Sequence, residues 1–250
     1  MFIDPDGRNG VVSGSGTKDD PYVITANYYY YNLNEDQTNA LNSALAEFNN
    51  GGQAFEIKTE TGTVYTSFNL NAVETVDADA ATSAARGDYV EMADGSRQHF
   101  GNTVTVGDVP DNANGRTFGN ANNVDITLDE NSVQEALVSN PGAATATQLR
   151  QGSLVHEIGH NLAGNHGDPG NIMGSVSATE IRKENCAAGD CGTGRYNYNV
   201  PSVNTNGIRA ITGRIGMPYG SVNSNYLKDR ENNRVAKEGG VTVGRILKKP

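Results

Sequence analysis

Three of the four histidines in this 250-residue chain fall within eleven positions, in the stretch GSLVHEIGHNLAGNHGDPGNIMGS at residues 152–175. His156 and His160 are four residues apart, so on a helix they stand one turn apart on one face. Two imidazoles so placed can share one zinc ion, and Glu157 is positioned to serve a coordinated water rather than the metal. Zinc draws the pKa of such a water toward about 7, and a carboxylate can take its proton as the nucleophile attacks a peptide carbonyl. The chemistry this predicts is peptide-bond hydrolysis without a covalent intermediate, with Glu157 as general base and acid.

A third ligand has three candidates downstream. His166 lies six residues past His160, beyond Gly164, where the chain can reverse. Asp168 offers an oxygen at a similar distance, although it also suits the turn GDPGN. Glu180 lies twenty residues past His160 in SATEIRKE, where Ser177 and Glu180 have capping-box spacing and predict a further helix. Glu184, one turn on, would then orient a histidine. Spacing alone leaves the three open.

With these residues in view, HEIGHNLAGNH resembles the metzincin zinc-peptidase signature HExxHxxGxxH, and NIMG resembles the family's Met-turn. The resemblance covers residues 154–175. It implies His156, His160 and His166 as zinc ligands, Glu157 as the catalytic carboxylate and Met173 in a tight turn beneath the metal. It also implies an α+β fold of metzincin type: a twisted mixed β-sheet, an active-site helix and a C-terminal helix, with the zinc cleft between two subdomains. The departure is Ala163, where the family usually has a glycine with positive φ. A non-glycine residue there costs roughly 1 kcal/mol or more. Either Gly164 turns the chain one residue late or Ala163 carries strain. The competing resemblance is to the gluzincins, similar to thermolysin, in which a glutamate on a later helix, here Glu180, is the third ligand. Ser175 stands where some metzincins place an additional tyrosine ligand; Tyr196 and Tyr198 are the candidates for polarising a substrate carbonyl. His99 is read as a surface histidine.

These side chains need a frame. The histidine helix is expected to begin near Asn140-Pro141 or at Thr145, which has capping-box spacing to Gln148, and to run to about Ala163. Leu154, Ile158 and Leu162 form a separate stripe that can bury against a sheet. Upstream, YVITANYYYY reads as a strand and Asn34–Asn49 as an amphipathic helix ending at Gly51-Gly52. AFEIKT, TVYTSFNL, NTVTVGDV and NVDITLD are short, alternating and bounded by turn formers, as strands are. The order predicts an α+β sheet domain packed on two helices.

Composition narrows the function classes. The formal charge of -10 is uneven: residues 195–250 hold ten Lys/Arg against three acids, and the remainder is strongly acidic. An acidic body argues against nucleic acid as the main partner. No apolar run is long enough to span a membrane. Cys186 and Cys191 can close a small disulfide loop in an oxidising compartment, which is the expectation, or stay free in a reducing one.

The opening FIDPDGRNG resembles the junction at which the core of Rhs/YD-repeat proteins meets a variable C-terminal toxin. That resemblance implies residues 1–16 as the end of the core with junction and linker; by composition, the Gly/Ser-rich GVVSGSGTKDDP at 10–21 also reads as a linker. Residues 17–194 would then be the peptidase, and 195–250 a basic extension whose role is open between core, partner surface and tail. It further implies a secreted antibacterial effector, delivered into a target cell as part of a larger protein, with a protein substrate, a cognate immunity protein and an Rhs cage as partners. The first residues have neither basic n-region nor apolar h-region, so no signal peptide is expected in this chain. An ordinary secreted protease and a non-catalytic, zinc-stabilised binding module are the other two readings of the motif.

Overall fold

The computed structural model describes residues 10–59, 62–91, 95, 97–109, 115–120, 123–139, 141–142, 144–162, 164, 166, 168–174, 177–181 and 195–214, with 118–120, 123–124, 177–181, 195–199 and 213–214 described in backbone alone. The N-terminal FIDPDGRN, Ala163, Glu184, both cysteines and the basic residues beyond 214 lie outside that set.

The architecture is a mixed α+β fold built on a seven-stranded sheet. Its strands are β1 (Val11–Ser13), β2 (Tyr22–Tyr30), β3 (Phe55–Thr59), β4 (Gly62–Glu74), β7 (Gly101–Val106), β8 (Gly115–Asn120) and β9 (Asn123–Leu128). The order across the sheet is β3-β4-β2-β7-β9-β8, with β1 also paired to β2. β4 and β7 flank β2 in parallel and β9 lies parallel to β7, whereas β3 and β8 are antiparallel edges. Between β4 and β7 lie helix α2 (Ala78–Gly87) and a small hairpin, β5 (Tyr89–Glu91) with β6 (Arg97–His99).

Strict alternation in β2 explains the layering. Tyr22, Ile24, Ala26, Tyr28 and Tyr30 are buried, while the residues between them are only half covered. The buried side faces α1 (Glu35–Asn49) and α4 (Ala146–Asn161), with α3 (Glu130–Ser139) between β9 and α4 in the chain. α1 is opened by a capping box between Asn34 and Gln37 and presents Leu41, Leu45 and Phe48 to the core. It ends at Asn50, whose φ of 47° is left-handed, one residue before the predicted glycine pair. On the other side, α2 lies against β7 at Gly101, where a Cβ would strike the backbone of Ala85.

Four departures from the sequence reading have physical causes. The Gly/Ser-rich segment from residue 10 is not a linker at its start: β1 adds to the sheet and Val12 is fully buried. The helix expected at SATEIRKE is absent over its first half, since Ser177–Ile181 forms β10, paired antiparallel with β11 (Arg195–Asn199). Pairing of β10, which holds Thr179 and Ile181, with a partner strand that holds Tyr196 and Tyr198 overrides the capping-box spacing. Of the roles left open for 195–250, core holds for the first part: α5 (Thr205–Arg214) buries Ile208 and Ile211 in the same cluster as α1 and α4. Finally, His99 is half-buried, and its Nδ1 is sealed from solvent without a partner.

Candidate metal centre

α4 begins where the second of the predicted starts placed it. Thr145 caps the helix and exchanges hydrogen bonds with Gln148 in a capping box. Leu149, Leu154, Val155 and Ile158 bury one face of the helix. Its last turn is held by polar groups as well: the Tyr28 hydroxyl donates to Asn161 Oδ1 at 2.6 Å, and Asn161 Nδ2 donates to Asn102 Oδ1 at 2.7 Å. Asn102 passes the chain on to the main-chain oxygens of Asn27 and Phe100. Tyr28, Asn102 and Asn161 are all fully buried, so this satisfied network fixes α4 on the sheet beside His160.

The three histidines of the motif converge. His166 Nε2 lies 3.1 Å from His156 Nε2 and 3.2 Å from His160 Nε2. Four-coordinate zinc with nitrogen ligands at 2.0–2.1 Å would space two such nitrogens about 3.3 Å apart. The spacing therefore suits one ion held by all three rings.

The outer ring nitrogens settle the tautomers. His156 Nδ1 donates to the main-chain oxygen of Gly174 at 2.9 Å, and His160 Nδ1 donates to that of Gly164 at 3.0 Å. A carbonyl only accepts, so each Nδ1 carries the proton and each Nε2 turns a lone pair inward. Burial drives both rings toward the neutral form, with His156 pushed down to about 4 and His160 to about 3. One proton on His166 Nε2 cannot bridge both neighbours at full strength, whereas a cation satisfies all three lone pairs. Among the described residues, these histidines are the one group of three or more side chains that can hold a metal ion.

The turn that carries Met173 is part of the same construction. Gly174 N–H donates to Asn171 O, closing a tight turn, and Gly174 O is the oxygen that orients His156. Met173 is buried, with its sulfur against Gly159 and Gly164, where a Cβ on either glycine would meet it. Gly164 is thus required for space, because its Cβ would also lie 2.7 Å from Gly159 O; its φ is not left-handed, so it is not the late positive-φ turn the sequence allowed. From below, Asn171 Nδ2 donates to Val200 O at 2.7 Å, and Gly207 at the start of α5 admits Ile172. Gly170, at φ +96°, packs on Asn204 and Gly207.

Glu157 reaches β8, the last strand in the order of the sheet. It is almost fully buried, and Thr117 Oγ1 on β8 lies 2.6 Å from its Oε2 and 2.9 Å from its main-chain oxygen. Burial pushes the carboxyl up to about 7, against the Thr117 hydrogen bonds, which lower it. A nearby dication would pull it down again.

Of the other sequence candidates, Asp168 alone has a described side chain. Asp168 is described and stands outside the histidine cluster. Glu180 sits on β10 opposite Tyr196, and the side chains of Glu180, Tyr196 and Tyr198 are outside the described residues. Comparison with protein-family models, curated proteins and solved structures finds no match. The residues that sequence reasoning missed are Thr117, Gly115 and the Tyr28–Asn102–Asn161 chain. For Thr117 the only signal was a threonine in GRTFGN, a composition that reads as a turn.

Proposed function

We propose that the chain is a zinc-dependent endopeptidase of metzincin type. The observation that carries this reading is the convergence of three Nε2 lone pairs, two of them fixed by main-chain oxygens, beside a buried carboxylate whose pKa is raised toward neutrality. When bound, zinc supplies a Lewis acid that polarises a carbonyl and acidifies water.

The chain's own groups do the rest. His156, His160 and His166 hold the ion, and Met173 gives them an apolar floor. Glu157 takes a proton at its carboxylate and returns it to the leaving amine; a base of this kind contributes about 10² to 10⁴ in rate. β8 ends the described sheet next to Glu157, and an extended peptide added to that edge would run its backbone past the carboxylate. Glu180 as a gluzincin-type ligand is disfavoured by its place on a strand. A purely structural zinc module has no use for a buried glutamate at this position.

The delivery reading rests on FIDPDGRNG: the chain would be the toxic tip of an Rhs-type effector, acting on proteins of a rival cell and held in check by an immunity protein in its own. The test is to incubate a bacterial proteome with wild type and with Glu157→Ala, then to sequence new N-termini by mass spectrometry. Cleavages with wild type alone are expected. Identical N-termini from both proteins contradict the peptidase.

A further inference from the structure

Glutamate has three rotatable side-chain bonds, and the ligand helix alone does not fix where the Glu157 carboxylate goes. β8 does. Thr117 and Gly115 are two residues apart on this strand and so face the same way, toward α4. The Thr117 hydroxyl reaches both ends of the Glu157 residue, its main-chain oxygen at 2.9 Å and Oε2 at 2.6 Å. Gly115 leaves the space into which the side chain bends: a Cβ there would lie 3.0 Å from Glu157 Cγ and 3.4 Å from Oε1. The strand itself is held in register by β9, with Gly115 opposite Leu128 and Thr117 opposite Ile126. Threonine is stiff at χ1, so the hydroxyl is a fixed point. Oε1 takes no hydrogen bond from any described residue.

We propose that Thr117 is the positioning residue for Glu157: its single hydroxyl, bridging the backbone and Oε2 of that glutamate, fixes the carboxylate and reserves Oε1 for proton transfer. The inference rests on the hydrolytic reading above for its consequence, and on the strand–helix geometry for its substance. The Thr117 hydroxyl bonds to Glu157 and to none of the three histidines, so its loss should leave the metal in place.

The experiment compares zinc-loaded wild type, Thr117→Val, Thr117→Ser and Gly115→Ala, each as the full chain. Crystal structures would locate the Glu157 carboxylate, calorimetry would give zinc affinity, and fluorescein-labelled casein would serve as substrate. Thr117→Val is expected to displace the carboxylate and to lower kcat roughly 10- to 100-fold, the worth of a hydrogen bond to a charged group. KM and zinc affinity should stay close to wild type. Thr117→Ser should restore the carboxylate position and most of kcat. Gly115→Ala, which keeps the hydroxyl but presses on Cγ, gives a second displacement should the valine variant fold poorly. A carboxylate that stays in place without the hydroxyl, or an unchanged kcat in Thr117→Val, overturns the proposal. If wild type and Glu157→Ala treat casein alike, the hydrolytic reading fails, while the crystallographic comparison still decides whether Thr117 positions the carboxylate.

Discussion

His156 Nδ1 donates to the main-chain oxygen of Gly174 at 2.9 Å, so a turn eighteen residues later fixes the tautomer of the first histidine. The turn bearing Met173 is thus tied directly to the first ring of the cluster. Asn171 anchors it through Val200 O and Ser202 Oγ. Asn171→Ala should loosen the turn and lower zinc affinity about tenfold, the low end of what losing support behind a ligand costs. Stability should fall by about 1–2 kcal/mol. Calorimetric titration with zinc and urea denaturation check the two effects separately.

The buried chain from Tyr28 to Asn102 makes a prediction about folding. Tyr28→Phe removes one hydroxyl and leaves Asn161 Oδ1 buried without its donor. The expected cost is about 1–3 kcal/mol. A urea midpoint equal to that of wild type would mean the network does not hold α4.

Acid should weaken the metal-free protein. His156 and His160 titrate near 4 and 3 in the folded chain against an ordinary value of 6.5, so the unfolded chain binds more protons as pH falls below 6.5. Glu157 works the other way, taking up a proton near 7 when folded against 4.5 when unfolded. Two histidines outweigh one glutamate between pH 4.5 and 6.5, and below 4.5 only the histidines differ. Stability of the chelator-treated protein should therefore climb from about pH 3, more gently above 4.5, and level off near pH 7. Denaturation curves across that range give the sign.

Much of this was legible in the sequence, and particular residues explain the limits. The alternation in β2, the stripe in α1 and the Thr145 capping box are local signals, and each placed its element within a few residues. The i, i+4 histidines were legible because ligand spacing on a helix is set by its pitch, whereas His166 lies past the end of α4 and was preferred among three candidates on the metzincin resemblance. Strand β10 was misread because Ser177 and Glu180 form a cap only if the chain is free to coil, and β11 pairs it instead. β8 hid in Gly- and Asn-rich sequence, so Thr117 could not be connected with Glu157, forty residues away. Ile208 and Ile211 sit in a segment whose overall charge suggested a solvated tail, yet two apolar residues suffice to dock α5 on the core.

The alternatives to His166 give a further prediction. Asp168→Ala and Glu180→Gln should each leave zinc affinity within about threefold of wild type, since Asp168 stands outside the histidine cluster and Glu180 lies on a strand rather than on the later helix the gluzincin pattern requires. A sharp loss in Glu180→Gln would revive the gluzincin reading.

The most direct test of the central claim is the metal content of the purified chain after zinc loading and dialysis, measured by plasma mass spectrometry for wild type and for His156→Ala, His160→Ala and His166→Ala. One zinc per chain in wild type, and its loss in all three variants with folded circular dichroism spectra, is the result predicted. A wild type that retains no metal, or a His166→Ala variant that retains it at full affinity, would contradict the three-histidine centre.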